Sequence, residues 1–103
     1  MPHRYRFTAP LWIWESSGDG AWHFVSLPDA AADEIKAITD GVRRGFGSVR
    51  VEATLGPSTW RTSIFPSNQS DTFVLPVKKA VRTKAGLEEG DDVDVELVLL
   101  LEG

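Results

Sequence analysis

The residues best suited to chemistry are Trp60, Arg61 and Ser63, which lie within one strand-like stretch. Alternate residues of a β-strand share a face, so the Arg61 guanidinium and the Ser63 hydroxyl would project together. Such a pair can hold one carboxylate or phosphate, and an aromatic wall from Trp60 would exclude water and strengthen the contact. The alternative is that Arg61 is solvated or pairs with Glu52 on a neighbouring strand. The stretch therefore predicts either an anion site or a cross-strand ion pair.

A second group of cations comprises Lys78, Lys79 and Arg82. Arg82 is four residues from Lys78 and three from Lys79, and both spacings place side chains one above another on a helix. The cations could converge on an anion, jointly with Arg61 if the fold brings them together, or form a solvated helix face. The residues predicted to bind a ligand are Trp60, Arg61, Ser63, Lys78, Lys79 and Arg82.

Other chemistry is sparse. The absence of cysteine excludes disulfides, thiol catalysis and cysteine-ligated zinc. The two histidines, His3 and His23, lie far apart without a ligand-like spacing, so we expect no metal site and no cofactor. His23 is either a structural histidine or an acid–base group. Catalytic residues stay unassigned from the sequence.

Tryptophan is abundant, with Trp12, Trp14, Trp22 and Trp60 in 103 residues. Most tryptophans of small β domains lie in the core, although four can also build an aromatic pocket. Trp12 and Trp14 share a strand face opposite the aliphatic residues of the same strand, so one of the two faces is less buried unless a helix covers it. The Trp12/Trp14 face is the candidate for a homodimer surface or a ligand wall.

Short strands and two helices must position these side chains. Period-two alternation predicts strands at 5–14, 21–27, 49–55, 59–65, 72–75 and 93–101, the first two and the next two forming hairpins. Helical spacing predicts a helix of about three turns that opens at Pro28 and is stopped near Gly41, and a second over 78–85 that ends on Gly86. The last strand becomes apolar at every position, which predicts burial on both sides toward its end.

The length and organisation predict a single domain over residues 1–103, because the chain has an ordinary domain size and no repeat, linker or low-complexity tract. Closing a mainly antiparallel sheet into a small barrel is the simplest way to satisfy the backbones of its strands. The predicted fold class is α+β, with a small, mainly antiparallel barrel of about six strands and two short helices.

The formal net charge of −4 is unevenly distributed: segment 43–84 carries eight bases against two acids, and segment 88–102 carries seven acids and no base. Either the two segments neutralise one another, or the basic one is free for an anion or an acidic partner. No apolar run reaches the roughly 18 residues of a membrane span, and residues 1–6 lack the apolar stretch of a secretory signal. We expect a soluble, cytoplasmic protein.

Five segments follow one another along the chain: WHFVSLP at 22–28, FGSVRVEATLG at 46–56, WRTSIFP at 60–66, VLPVK at 74–78 and GLEEGDDV at 86–93. In this order they resemble the bacterial family called domain of unknown function 1905. The resemblance implies a compact split β-barrel, in a family whose members occur alone or joined to another small domain. It implies no established activity and no accepted catalytic residues.

A local resemblance covers about twenty residues, in which VLPVKKAVR at 74–82 precedes GLEEGDDV. This succession of strand, short helix, Gly-Asp turn and strand is similar to AbrB-like DNA-binding antitoxins. The rest of the chain departs from those dimers. A pI of about 5.0 and an acidic last strand also oppose phosphate binding, so nucleic acid is a weak alternative partner.

Three function classes follow. The leading hypothesis is a non-enzymatic binding module for an anionic or aromatic small molecule or an acidic partner segment. The second is a small-barrel enzyme, such as an isomerase or cyclase, in which Arg61 or Lys78 stabilises negative charge while Glu52 or His23 moves a proton. An enclosed cavity with Glu52 or His23 pointing into it would favour that enzyme. The third is an AbrB-like nucleic-acid-binding regulator.

Overall fold

The computed structural model of the protein describes residues 3–16, 20–41, 47–67 and 70–101. Its elements are β1 (Arg4–Ser16), β2 (Gly20–Ser26), α1 (Asp29–Thr39), β3 (Val49–Leu55), β4 (Ser58–Pro66), β5 (Phe73–Pro76), α2 (Lys79–Ala85) and β6 (Asp92–Leu99). Antiparallel pairing closes the strands into a barrel in the order β1-β2-β5-β4-β3-β6, and β6 pairs back with β1. The predicted α+β barrel of six strands with two helices is confirmed.

The longest strand, β1, belongs to both halves of the barrel. Its first part, through Pro10, pairs with β6, and its second part, from Leu11, pairs with β2. Proline has no N–H to donate, so a strand can change partners there without losing a hydrogen bond. This change of partner divides the outer surface into a β6 side and a β2 side.

The inward face of the barrel is apolar because the strands alternate in hydrophobicity. On β3, inward Val51 and Ala53 are fully buried, whereas Arg50 lies outside and exposed. Each large side chain buried in this way contributes about 1.5–3 kcal/mol. The fully buried core residues from different strands include Leu11, Val25, Ile64, Leu75 and Leu97.

The two helices lie at opposite ends of the barrel. Helix α1 follows the end of β2 and helix α2 follows the end of β5, and these two strands run antiparallel to one another. Helix α1 buries Ala32 and Ile35 in the core. Its Lys36 donates to the Asp71 carboxylate at 2.6 Å, which lowers the pKa of Asp71. Helix α2 buries Val81 and ends as predicted on Gly86, which has a left-handed φ of 66°.

One sequence prediction needs correction at an element end. Helix α1 has 11 residues and ends at Thr39, which agrees with the predicted three turns before Gly41, and Val42 lies outside the described residues. Strand β6 ends at Leu99 and keeps its alternation, with Val98 half-buried and Leu101 exposed, so the predicted burial on both sides is wrong. Outward residues of β6 lie on the barrel surface between β1 and β3. In the part of the chain described, no helix is long and apolar enough to span a membrane.

Candidate functional site

Strand β4 places the first predicted site residues on two sides of the barrel wall. Trp60 points inward and packs half-buried against the core, whereas Arg61 and Ser63 occupy the outward face. The Arg61 Nε lies 3.9 Å from the Glu52 Oε2, and the two residues are paired across β3 and β4. Ser63 accepts a long hydrogen bond of 3.4 Å from Arg50 Nη1. The cross-strand pair expected as the alternative is therefore present, and Trp60 lies on the other face from Arg61.

The residues of the second cationic group differ in exposure and in their contacts. Lys78 and Lys79 are exposed at the start of α2. Arg82 is half-buried, and its Nη1 lies 2.9 Å from Nε2 of His23 on β2. Anion binding by these cations, alone or with Arg61, stays a prediction.

The contact between Arg82 and His23 fixes the protonation of the imidazole. A guanidinium only donates, so Nε2 of His23 accepts and the ring proton lies on Nδ1. His23 Nδ1 and Arg82 Nε are buried and have no hydrogen-bond partner among the described residues. Burial and the Arg82 charge lower the pKa of His23, against a smaller opposing effect of Glu89. These effects therefore favour the neutral form of His23 at this end of the barrel.

The polar side of the barrel carries a shallow groove of about 410 Å³ whose charged residues are partnered. Glu96 on β6 accepts from Arg6 at 2.8 Å and lies 3.4 Å from Arg4, and Asp94 accepts from Thr8. The acidic last strand is thus paired with arginines of β1 rather than with the basic middle of the sequence. Residues 3–16, 20–41, 47–67 and 70–101 contain no cluster of His, Cys, Asp and Glu that could hold a metal.

The opposite, β2 side of the barrel carries an aromatic groove of about 500 Å³ over the outer face of β5. Its lining consists of Trp12, Trp14, Trp22, Phe24, Phe65, Pro66, Ser67, Val74 and Pro76. The outward residues of β5, Val74 and Pro76, are smaller than the aromatic residues of the flanking strands. The groove therefore has an aliphatic floor on β5, one aromatic wall from β1 and β2, and a second wall at Phe65 of β4.

Ring contacts and one hydrogen bond hold the first wall in place. Trp12 faces Phe24 across the β1–β2 pair with ring centres 5.0 Å apart, and Trp22 stacks on Phe24 at 6.4 Å. The Trp12 indole N–H donates to Ser26 Oγ at 2.9 Å. Aromatic pairs of this kind contribute about 0.5–1.5 kcal/mol beyond their buried area. The wall is thus formed before any ligand arrives.

The rings of the groove are unusually exposed for their size. Trp14, Trp22 and Phe65 are 48%, 51% and 41% exposed. All nine lining residues are uncharged, so the groove offers rings and aliphatic surface with few polar groups. A contiguous exposed apolar surface of this kind often marks an interaction site, because the rest of a monomer's surface rarely carries one. The aromatic groove is therefore the candidate functional site.

The sequence indicated only part of this groove. It placed Trp12 and Trp14 on one strand face, which is confirmed, and alternation along the predicted strand 59–65 puts Phe65 on the face opposite Ile64, where it lies. Trp22 was named only among the four tryptophans that could build an aromatic pocket; Trp12, Trp14 and Trp22 line the groove, whereas Trp60 points inward. The sequence alone does not reveal that β5 lies between β2 and β4. This strand order brings aromatic residues from distant segments to the two sides of β5.

No curated protein matches the chain. A family model described as "Domain of unknown function (DUF1905)" matches residues 7–97, which covers both helices and at least the larger part of every strand. The match agrees with the resemblance seen in the five sequence segments. The chain therefore belongs to the DUF1905 family.

Proposed function

We propose that this protein is a non-enzymatic binding module whose ligand stacks on the walls of the aromatic groove. The observation that carries the proposal is that Trp14, Trp22 and Phe65 leave large ring surfaces exposed toward one uncharged concavity. Its volume of about 500 Å³ falls within the roughly 300–1,000 Å³ range of ligand pockets, which are mostly apolar and aromatic. Covering the exposed rings would provide the main free energy of binding.

Of the ligand types expected from the sequence, the groove favours a flat or aromatic one. No cation lines it among the residues that the structure describes, so a carboxylate or phosphate would find no charged partner on those side chains. Anion binding at Arg61, Ser63, Lys78, Lys79 and Arg82 remains a separate prediction. The enzyme alternative lacks support from the position of Glu52, which lies on the outer face of β3 rather than in the barrel interior.

The proposal is tested with N-phenyl-1-naphthylamine, a neutral dye that fluoresces in apolar sites. We expect saturable 1:1 binding, weakened about tenfold by Trp22→Ala or Phe65→Ala, since losing one stacking partner costs about 1–1.5 kcal/mol. Leu101→Ala is the matched control, because Leu101 is also an exposed apolar residue but lies outside the groove. Equal binding by all variants, or no binding, would contradict the proposal.

A charged probe separates the groove from the cationic residues. Naphthalene-1-sulfonate carries the same flat ring system with one negative charge. If Arg61 contributes to binding, Arg61→Ala weakens the sulfonate and leaves the neutral dye unaffected. If the aromatic groove acts alone, as proposed, Arg61→Ala changes neither affinity.

A further inference from the structure

We propose that the aromatic groove takes a proline-rich peptide segment in the extended polyproline II conformation. This inference rests on the proposed function, because it names the ligand of the same groove. Prolines stack their flat rings on aromatic side chains, and aromatic-lined grooves are the usual receptors of such segments. Four properties of the groove carry the inference: its length, its hydrogen-bond donors, its lack of charge and its concavity.

The length of the floor matches a short polyproline segment. Strand β5 has four residues, which at about 3.3 Å per residue give a floor of roughly 13 Å. Polyproline II advances about 3.1 Å per residue, so about four residues would lie along it. Phe65 is paired with Val74 near the start of that floor, and the Trp14–Trp22 pair lies just beyond its Pro76 end, because Phe24 is paired with Pro76. Such a segment can contact both walls along its length.

Indole donors suit the backbone of such a segment. Polyproline II has no internal hydrogen bonds, so its carbonyl groups need donors from water or from a receptor. The Trp12 N–H is occupied by Ser26, whereas the indole N–H groups of Trp14 and Trp22 make no hydrogen bond within the described residues. A proline-rich peptide offers acceptors without offering competing backbone N–H groups. The indole N–H groups and the ring faces of Trp14 and Trp22 thus both suit a proline-rich peptide.

Charge and shape favour this occupant over a second copy of the chain. The described lining residues are uncharged, which complements a neutral segment, and two copies each carrying −4 would repel one another. Two concave grooves placed face to face would leave a void between them, whereas an extended peptide is convex. A preformed polyproline helix also loses little conformational entropy on binding.

The test uses acetylated, amidated decaproline and a Gly-Ser decapeptide of the same length. We expect decaproline to bind 1:1 by calorimetry and to displace N-phenyl-1-naphthylamine, and the Gly-Ser peptide to do neither. Trp14→Ala and Phe65→Ala lie on opposite walls, and each should weaken decaproline binding about tenfold. Leu101→Ala should bind like the native protein. Far-UV circular dichroism of every variant checks that the fold is kept.

The outcomes separate this inference from the proposed function. If the dye binds in the groove but decaproline neither binds nor displaces it, the peptide inference is wrong and the binding module stands. If neither binds, both are wrong. Decaproline binding that is insensitive to Trp14→Ala and Phe65→Ala overturns the groove as its site. A dimer seen by sedimentation that Trp22→Ala converts to monomer would assign the groove to self-association and overturn the peptide inference.

Discussion

At the scale of single residues, two side-chain contacts control protons in this protein. His23 accepts from the Arg82 guanidinium, so a proton on His23 would remove the acceptor and place two cations against one another. Burial and Arg82 together lower the pKa of His23. The native state therefore takes up this proton at a lower pH than the unfolded chain, whose histidine titrates near 6.5. The contribution of His23 to the free energy of unfolding is fully present above the pKa of the unfolded histidine. It is lost as the pH falls toward the lowered pKa of the native state.

The replacement His23→Gln tests this linkage, since glutamine stays neutral and can still accept from Arg82. We expect the melting temperature of the native protein to fall more than that of His23→Gln between pH 7.5 and pH 5. His3→Gln is the control, because His3 is exposed, and it should keep the native pH dependence. Equal slopes for the native protein and His23→Gln would contradict the assignment. The measurement is thermal unfolding followed by circular dichroism.

Tyr5 provides a second proton test because it is the single tyrosine of the sequence. Burial, and then the hydrogen bond to Glu34 and its charge, raise the pKa of Tyr5 to about 12. Absorbance at about 295 nm should report this ionisation directly. Glu34→Ala should lower the midpoint while leaving it above the ordinary value near 10, because burial remains. Glu52→Ala, which removes a carboxylate elsewhere, should change nothing, and circular dichroism must show that the fold persists.

At the scale of elements, local signals were sufficient for the strands and helices but not for the groove. Both hairpins, the helix after Pro28 and the end of α2 at Gly86 follow from alternation, proline and glycine, which act over a few residues. The apolar end of β6 was misinterpreted because composition does not reveal which outward positions are covered. The aromatic groove depends on β5 pairing between β2 and β4, a contact between segments far apart in sequence.

The end of α2 gives a prediction at this scale. Gly86 has a φ of +66°, and a Cβ added there would meet no atom within 4 Å. The cost of Gly86→Ala is therefore the backbone strain alone, about 1 kcal/mol of unfolding free energy. Gly86→Asn should cost less, because asparagine tolerates the left-handed conformation. Urea unfolding of the two variants measures the difference, and an equal cost would contradict this account.

At the scale of the whole molecule, one apolar core contains buried residues from all six strands and both helices. The prediction that residues 1–103 form a single domain then has a direct test. Unfolding followed by tryptophan fluorescence, which reports largely on the aromatic groove, should coincide with unfolding followed by far-UV circular dichroism. Separate transitions would indicate that parts of the chain fold independently.

A core substitution extends that test. Leu97 is fully buried on β6, and its neighbour Val98 is half-buried on the outer face. Leu97→Ala should lower the unfolding free energy by about 2–5 kcal/mol, by the same amount with both probes. Val98→Ala should cost less, about 1 kcal/mol, because it leaves no internal cavity. A larger effect at Val98 would mean that the two faces of β6 are assigned wrongly.

The closure of the barrel has a consequence for how any partner can bind. Every strand pairs with a neighbour on each side, and β6 completes the circle with β1. Where a strand is paired on both sides, another chain cannot join the sheet as an added strand unless the barrel first opens, whereas residues 58–64 of β4 pair with β3 alone. Recognition falls to outward side chains, which can be exchanged without disturbing the hydrogen-bonded framework. Substitution on the outer surface can therefore change which side chains the protein presents while the barrel backbone stays the same.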